Sequence, residues 1–184
     1  MIVINLDRDG VINHNNRSKL DGPYYTLTPE DFIWFEGSLE AIVKIQKMGY
    51  KIHIVTSQNC ISEGLVTIEK VDKIHDRMNQ DIIDAGGEEI TVSTIYGVKE
   101  DDQARAEAKA QAILDFYFDN NSSGLVDTSE DFMIGDTEGD IIAGKLAGCK
   151  TVHVELDYTS EKDKFVPSAD IHVKNLLEFT YKYL

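Results

Sequence analysis

Two aspartates, Asp7 and Asp9, stand two positions apart just after the apolar run Ile2–Leu6, and a third, Asp136, follows the run Phe132–Ile134 late in the chain. Carboxylates are hard oxygen donors, and three of them brought to one sheet edge suit Mg²⁺. On an extended backbone, residues 7 and 9 face the same side. One carboxylate can then attack phosphorus while the other handles the leaving group's proton. A divalent cation bridging nucleophile and phosphate removes their repulsion. In this reading Asp136 completes the cation's shell and Asp140 supports it. Thr56, Ser57 and Gln58 follow the run Ile52–Thr56 and add hydroxyl, amide and backbone N–H donors for a phosphoryl group. For Asp9 to act as an acid, its carboxyl, at about 3.9 in model peptides, has to be pushed upward by its surroundings.

Each piece alone has a plainer meaning. An isolated Asp-x-Asp is common, and Gly135-Asp136 or Thr56-Ser57 alone reads as a turn or helix cap. A calcium loop is excluded, because it needs Gly at position six and Glu at twelve, where this chain has Ile12 and Ser18. The conjunction of the pieces, each at a strand end and in order, argues for a site. His53 and His75 lie on apolar segments and read as packed core histidines, and Trp34 and Phe35 as packing residues. Cys60 has no histidine beside it to mark a nucleophile.

The elements that must deliver these residues are short Ile/Val-rich runs alternating with helical periods. The runs are Ile2–Leu6, Ile52–Thr56, Ile90–Tyr96, Phe132–Ile134, Thr151–Val154 and Ile171–Val173. Helices are expected over Ser38–Met48, around Ile68–Ile82, from about Asp101 to Phe118, and from Glu138 to Gly148. This is the pattern of an α/β, three-layer Rossmann-like domain with a mostly parallel central sheet, covered on both faces. Ligands of such sheets bind beyond the carboxyl ends of the strands. The polar stretches Asn13–Glu30 and Asp119–Glu130 are too short for a separate cap, so one domain is expected over residues 1–184.

Composition narrows the partners. Eighteen basic against 33 acidic residues give the 184-residue chain a formal charge of −15, which argues against an extended nucleic-acid-binding surface. Two cysteines, Cys60 and Cys149, are too few for a disulfide scaffold or a four-cysteine zinc site. No apolar run approaches the roughly 20 residues that span a bilayer, and the first residues lack the pattern of a signal peptide. A cytoplasmic protein that does not enter the membrane is expected.

The segments Leu6-Asp-Arg-Asp-Gly-Val-Ile-Asn13, Val55-Thr-Ser-Gln-Asn-Cys-Ile-Ser-Glu-Gly64 and Phe132-Met-Ile-Gly-Asp136, the last followed by Asp140-Ile-Ile-Ala-Gly, resemble motifs one, two and four of the haloacid-dehalogenase-like (HAD) phosphohydrolases. Within that superfamily the likeness is to the small capless branch containing heptose-bisphosphate and histidinol-phosphate phosphatases, and it runs from about residue 2 to residue 180. The resemblance implies Asp7 as nucleophile and Asp9 as general acid/base, its backbone carbonyl on Mg²⁺. It also implies Thr56 at the phosphoryl group and Asp136 on the metal. The third motif departs from the pattern. Its phosphate-binding lysine is either Lys109, followed by Ala110 instead of the usual Pro, or Lys99. The segment Tyr96–Lys109 has neither cysteine nor histidine, so the branch's zinc loop is missing and no zinc is expected. Ser57, Cys60 and Glu63 replace the branch's Asn, Gly and Arg. Arg17 and Lys19, in the loop after the first strand, are candidate contacts for a second anionic group. The resemblance thus implies a Mg²⁺-dependent phosphatase acting through an aspartyl-phosphate on a small phosphorylated metabolite, a sugar phosphate or bisphosphate. The competing readings are a phosphatase of nucleic-acid 5′ or 3′ termini and a non-catalytic phosphate- or metal-binding module.

Overall fold

The structure is a computed structural model that describes residues 1–14, 25–97, 102–121, 126–156 and 165–184. Six strands form one sheet: β1 Val3–Leu6, β2 Lys51–Ser57, β3 Thr91–Ile95, β4 Phe132–Gly135, β5 Lys150–Val154 and β6 Ile171–Val173. Their order is β3-β2-β1-β4-β5-β6, and every pairing is parallel. Between them run α1 Ser38–Lys47, α2 Asn59–Ser62, α3 Ile68–Asp84, α4 Asp102–Asn120 and α5 Glu138–Leu146, with α6 Leu176–Tyr183 last. The order reverses between β1 and β4, where the chain leaves in opposite directions and opens a crevice. Among the described residues, no helix is long and apolar enough to cross a membrane.

Strand alternation decides which layer each side chain enters. Ile4 and Leu6 join the larger core with Ile42 and Ile45 of α1, Ile74 and Met78 of α3, and Phe179 of α6. Val3 packs instead on Phe116 and Tyr117 of α4. Val55 of β2 and Met133 of β4 meet Ala110 and Ile113 of the same helix. Each of these fully buried aliphatic side chains contributes about 1.5–3 kcal/mol relative to exposure. His53 enters the α4 layer too, stacked on Phe116 with centroids 4.0 Å apart and bonded to Asn5 and Ser93, each at 2.9 Å. Burial pushes its pKa down to about 3, as for a packed core histidine.

All six expected strands form, with no end shifted by more than one residue. Two helices exceed the expectation. A one-turn helix such as α2 is too short to show periodicity. The last helix, α6, does carry the signal: Asn175 caps Glu178 N–H at 2.8 Å, and Leu176, Phe179 and Thr180 are buried at helical spacing.

Candidate active site

Immediately past β1 the alternation continues. Asp7 N–H donates to Ile134 O at 2.9 Å, extending the β1–β4 ladder by one residue. Asp7 therefore falls on the α4 side, and Arg8 on the α3 side. The carbonyl of Arg8 then accepts from Val11, Ile12 and Asn13 N–H at 3.0–3.3 Å, closing a tight turn. Gly10 sits in this turn at φ +98°, where a Cβ would lie 2.3 Å from Asp136 Oδ2. Only glycine allows both the backbone conformation and the approach of that carboxylate. At the end of β4 a Cβ on Gly135 would lie 2.1 Å from Asp140 Cβ, so glycine is again what lets α5 start against the strand.

Oxygens of Asp7, Asp136 and Asp140 lie within 4.8 Å of one another, and all three residues are buried. Lys109 of α4 reaches the same point. Its ammonium donates to Asp7 Oδ1 at 2.8 Å and to Asp140 Oδ1 at 2.5 Å, and the residue is only 6 % exposed. A solvated lysine on an Ala-rich helix is thereby excluded. Asp140 has a second task, since its Oδ2 accepts from Thr137 N–H and Oγ1 while Thr137 Oγ1 accepts from Asp140 N–H. This reciprocal cap fixes the first turn of α5. Burial raises the Asp7 carboxyl to about 7; Lys109 opposes this, and Asp140 and Asp9 add to it. For Lys109, burial alone would lower the ammonium's pKa, but Asp140 and Asp7 hold it above its ordinary value. Asp7 and Asp140 share one ammonium, and with Asp136 they form an all-oxygen set that fits a hard divalent cation such as Mg²⁺.

The Asp9 carboxylate is not part of that trio. Oδ2 accepts from Arg8 Nη2 and Gln58 Nε2, both at 2.8 Å, and Oδ1 from Asn13 Nδ2 at 2.9 Å and Thr26 Oγ1 at 3.3 Å. Burial alone would raise its carboxyl, but Arg8 and the Asn13 and Gln58 hydrogen bonds bring it below the ordinary value. Two expectations change here. The Asp9 side chain does not join Asp7 in the carboxylate cluster, because the turn after Arg8 hands it to Arg8, Gln58, Asn13 and Thr26. The upward shift that acid catalysis requires of Asp9 is replaced by a downward one. The third side-chain carboxylate of the cluster is Asp140, expected only as a support.

Arg8 is fully buried; Nη1 lies 2.9 Å from His75 Nε2 on α3. Burial and the neighbouring guanidinium push His75 down to about 3, so the ring is neutral and accepts from Arg8. The apolar margin of α3 hides this polar role. Thr56 is buried, and its hydroxyl accepts from Gln58 Nε2 at 2.8 Å. Ser57 Oγ is buried without a hydrogen-bond partner among the described residues. Glu63 accepts from Tyr25 Oη at 2.8 Å. Lys99, Arg17 and Lys19 lie outside the described residues. Arg8, Asn13, Thr26 and His75 are the partners that motif reading did not single out. Arg8 lies inside the Asp-Arg-Asp motif, and Thr26 carried no signal.

Residues 116–179 match the HAD-hydrolase-like family. The chain is 28 % identical over 151 residues to D-glycero-beta-D-manno-heptose-1,7-bisphosphate 7-phosphatase of Pseudomonas aeruginosa, covering 82 % of this chain and 79 % of that one. It is 28 % identical over 176 residues to the enzyme of the same name from Helicobacter pylori, covering 94 % and 91 %. In three dimensions it superposes on a D,D-heptose 1,7-bisphosphate phosphatase of Bordetella bronchiseptica, solved with magnesium and phosphate. The TM-score is 0.81 at 23 % identity, over 98 % of this chain and 97 % of that one. The chain is thus similar to HAD-like hydrolases in sequence over residues 116–179 and shares the fold of a heptose-bisphosphate phosphatase over nearly its whole length.

Proposed function

We propose that this chain is a Mg²⁺-dependent phosphatase that hydrolyses a phosphomonoester of a small metabolite, a sugar phosphate or bisphosphate, through an aspartyl-phosphate on Asp7. The observation that carries the reading is the buried Asp7–Asp136–Asp140 cluster with Lys109 at the switch point of the sheet. Full-length relatives named as heptose-bisphosphate phosphatases support the substrate class.

Asp7, Asp136 and the backbone carbonyl of Asp9 would hold Mg²⁺. The bound ion supplies charge neutralisation between carboxylate and phosphate. Asp7 attacks phosphorus, the bond to the ester oxygen breaks, and Asp9 delivers a proton to the departing alkoxide. Water then attacks the aspartyl-phosphate, Asp9 takes its proton, and the Asp7–phosphorus linkage breaks to release inorganic phosphate. Thr56 and Lys109 bind the phosphoryl oxygens. In the free protein Asp9 is poised for the second half of this cycle, as a carboxylate. Arg8 and Gln58, which hold it there, oppose the protonation that the first half needs.

The test is phosphate release from a panel of sugar phosphates, nucleotides and 5′- or 3′-phosphorylated oligonucleotides. Release from sugar phosphates should require Mg²⁺ and disappear in Asp7→Asn. Release from oligonucleotide ends alone would transfer the activity to nucleic-acid termini. Silence of the folded, Mg²⁺-saturated protein across the panel would leave a phosphate- or metal-binding module.

A further inference from the structure

The last two strands gather a second set of donors. His153 on β5 stands opposite His172 on β6 in the parallel register, so both side chains leave the same face of the sheet. Glu155, two residues beyond His153, leaves that face as well. Its N–H donates to Val173 O at 2.9 Å, which holds it on the end of the ladder. The opposite face is ordinary: Val152, Val154 and Val173 enter the larger core.

The two imidazoles meet edge to face with centroids 5.5 Å apart. Phe165 stacks on His172 at 4.6 Å, and His172 Nδ1 approaches Glu155 Oε1 to 3.4 Å. One ligating atom from each of the three residues lies within 4.8 Å of the other two. Parallel strands buried against a core are ordinarily filled by Val and Ile. Two imidazoles and a carboxylate at adjoining positions make instead a mixed nitrogen–oxygen donor set, the kind that selects a borderline-soft cation over Mg²⁺.

We propose that His153, Glu155 and His172 form a binding site for a zinc-type divalent cation, separate from the carboxylate cluster. Donors at about 2.0–2.2 Å from a tetrahedral ion stand roughly 3.4 Å from one another, so small side-chain rotations close the present spacing. Three protein donors leave a fourth position for water or a further ligand. The expectation of no zinc rested on the missing cysteine–histidine loop, and these donors come from other elements. His153 pairs with Gly135, the residue before Asp136; His172 lies one strand further out, about 10 Å from Gly135 at about 4.8 Å per strand. The ion ties the edge strand β6, and through it α6, to the sheet beside the acidic site.

The test uses the full-length protein, stripped with a chelator and then titrated with Zn²⁺, or with Co²⁺ for its visible spectrum, in excess Mg²⁺. The expected result is one retained equivalent, a tetrahedral Co²⁺ spectrum and a higher melting temperature. Affinity should fall at least about tenfold in His172→Gln and in Glu155→Gln and stay unchanged in Asp136→Asn, with far-UV circular dichroism reporting that each variant is folded. No retention in excess Mg²⁺ overturns the site. So does retention that survives His172→Gln and is lost in Asp136→Asn, which assigns the ion to the carboxylates. These readouts do not involve phosphate release, so they stand or fall apart from the phosphatase assay.

Discussion

Asp7 and Arg8 are chain neighbours whose side chains enter opposite layers of the molecule. On the α4 side, three buried carboxylates cluster and one ammonium bridges two of them, Asp7 and Asp140. On the α3 side, one buried guanidinium meets one carboxylate and one neutral imidazole. The pKa directions differ accordingly: Asp7 rises to about 7 and Asp9 falls. The first region gathers oxygen donors that suit a cation; the second pairs its carboxylate with a guanidinium. Alternation begun in β1 separates Asp7 from Arg8, and the turn closed on the Arg8 carbonyl leaves Asp9 on the guanidinium.

The strongest test of the contrast is Asp7→Asn. As the proposed nucleophile, Asp7 should take phosphate release down at least about 10⁴-fold when changed to Asn. In chelator above pH 7 the same variant should melt at a higher temperature than wild type, because it removes a charge that burial disfavours. An unchanged turnover would remove Asp7 from the chemistry. Next comes Lys109→Met, which takes the ammonium from Asp7 and Asp140. Breaking a buried ion pair on one side costs about 3–5 kcal/mol, and urea unfolding in chelator should show a loss of that order. Mg²⁺ should restore part of it and should bind the variant more tightly than wild type. A loss that Mg²⁺ leaves untouched would mean that the carboxylates do not hold the ion.

His75→Leu probes the other side. It takes the acceptor from Arg8 Nη1, and Arg8 Nε already lacks a partner among the described residues. Leaving a buried donor unsatisfied costs about 1–3 kcal/mol, and release of Arg8 from its seat should lower kcat about 10- to 100-fold by misplacing Asp9. His75→Gln, which keeps an acceptor, should recover most of both. If Leu and Gln behave alike, His75 is packing only.

Most of the architecture was legible in the chain, because Ile/Val runs and helical periods are local signals. The acids of the site were legible as well, since strand ends of a parallel sheet must converge. Which acids face one another was not. Asp9 obeys the two-residue rule only if the backbone stays extended, and the turn closed on the Arg8 carbonyl breaks it. Spacing left Lys109 and Lys99 both open; that Lys109 reaches Asp7 and Asp140 depends on α4 packing over the sheet, a long-range event, and Lys99 lies outside the described residues. His75 is the packed histidine expected, but its partner was not legible. Its helical position predicts burial correctly, but burial beside a guanidinium is a hydrogen bond rather than an apolar contact.

The smallest expected effect concerns pH, and it separates the two regions by sign. In the folded, metal-free protein burial holds the Asp7 proton up to about 7, against an ordinary value of 3.8. Between those values the folded state binds more protons than the unfolded one, so this group's contribution falls as pH rises. His75 and His53 are lowered from 6.5 to about 3. There the unfolded state binds more protons, so their contribution falls as pH falls. Each proton sets a slope of at most about 1.4 kcal/mol per pH unit. From pH 4.5 to 6.5 the two histidines should outweigh Asp7, and stability measured by urea unfolding in chelator should rise with pH. Asp7→Asn should steepen that rise, and His75→Gln should flatten it. Saturating Mg²⁺ competes with the Asp7 proton and should steepen the wild-type profile as Asp7→Asn does in chelator. Parallel profiles for wild type and Asp7→Asn would mean that Asp7 ionises normally, and Mg²⁺ would then have no Asp7 proton to displace.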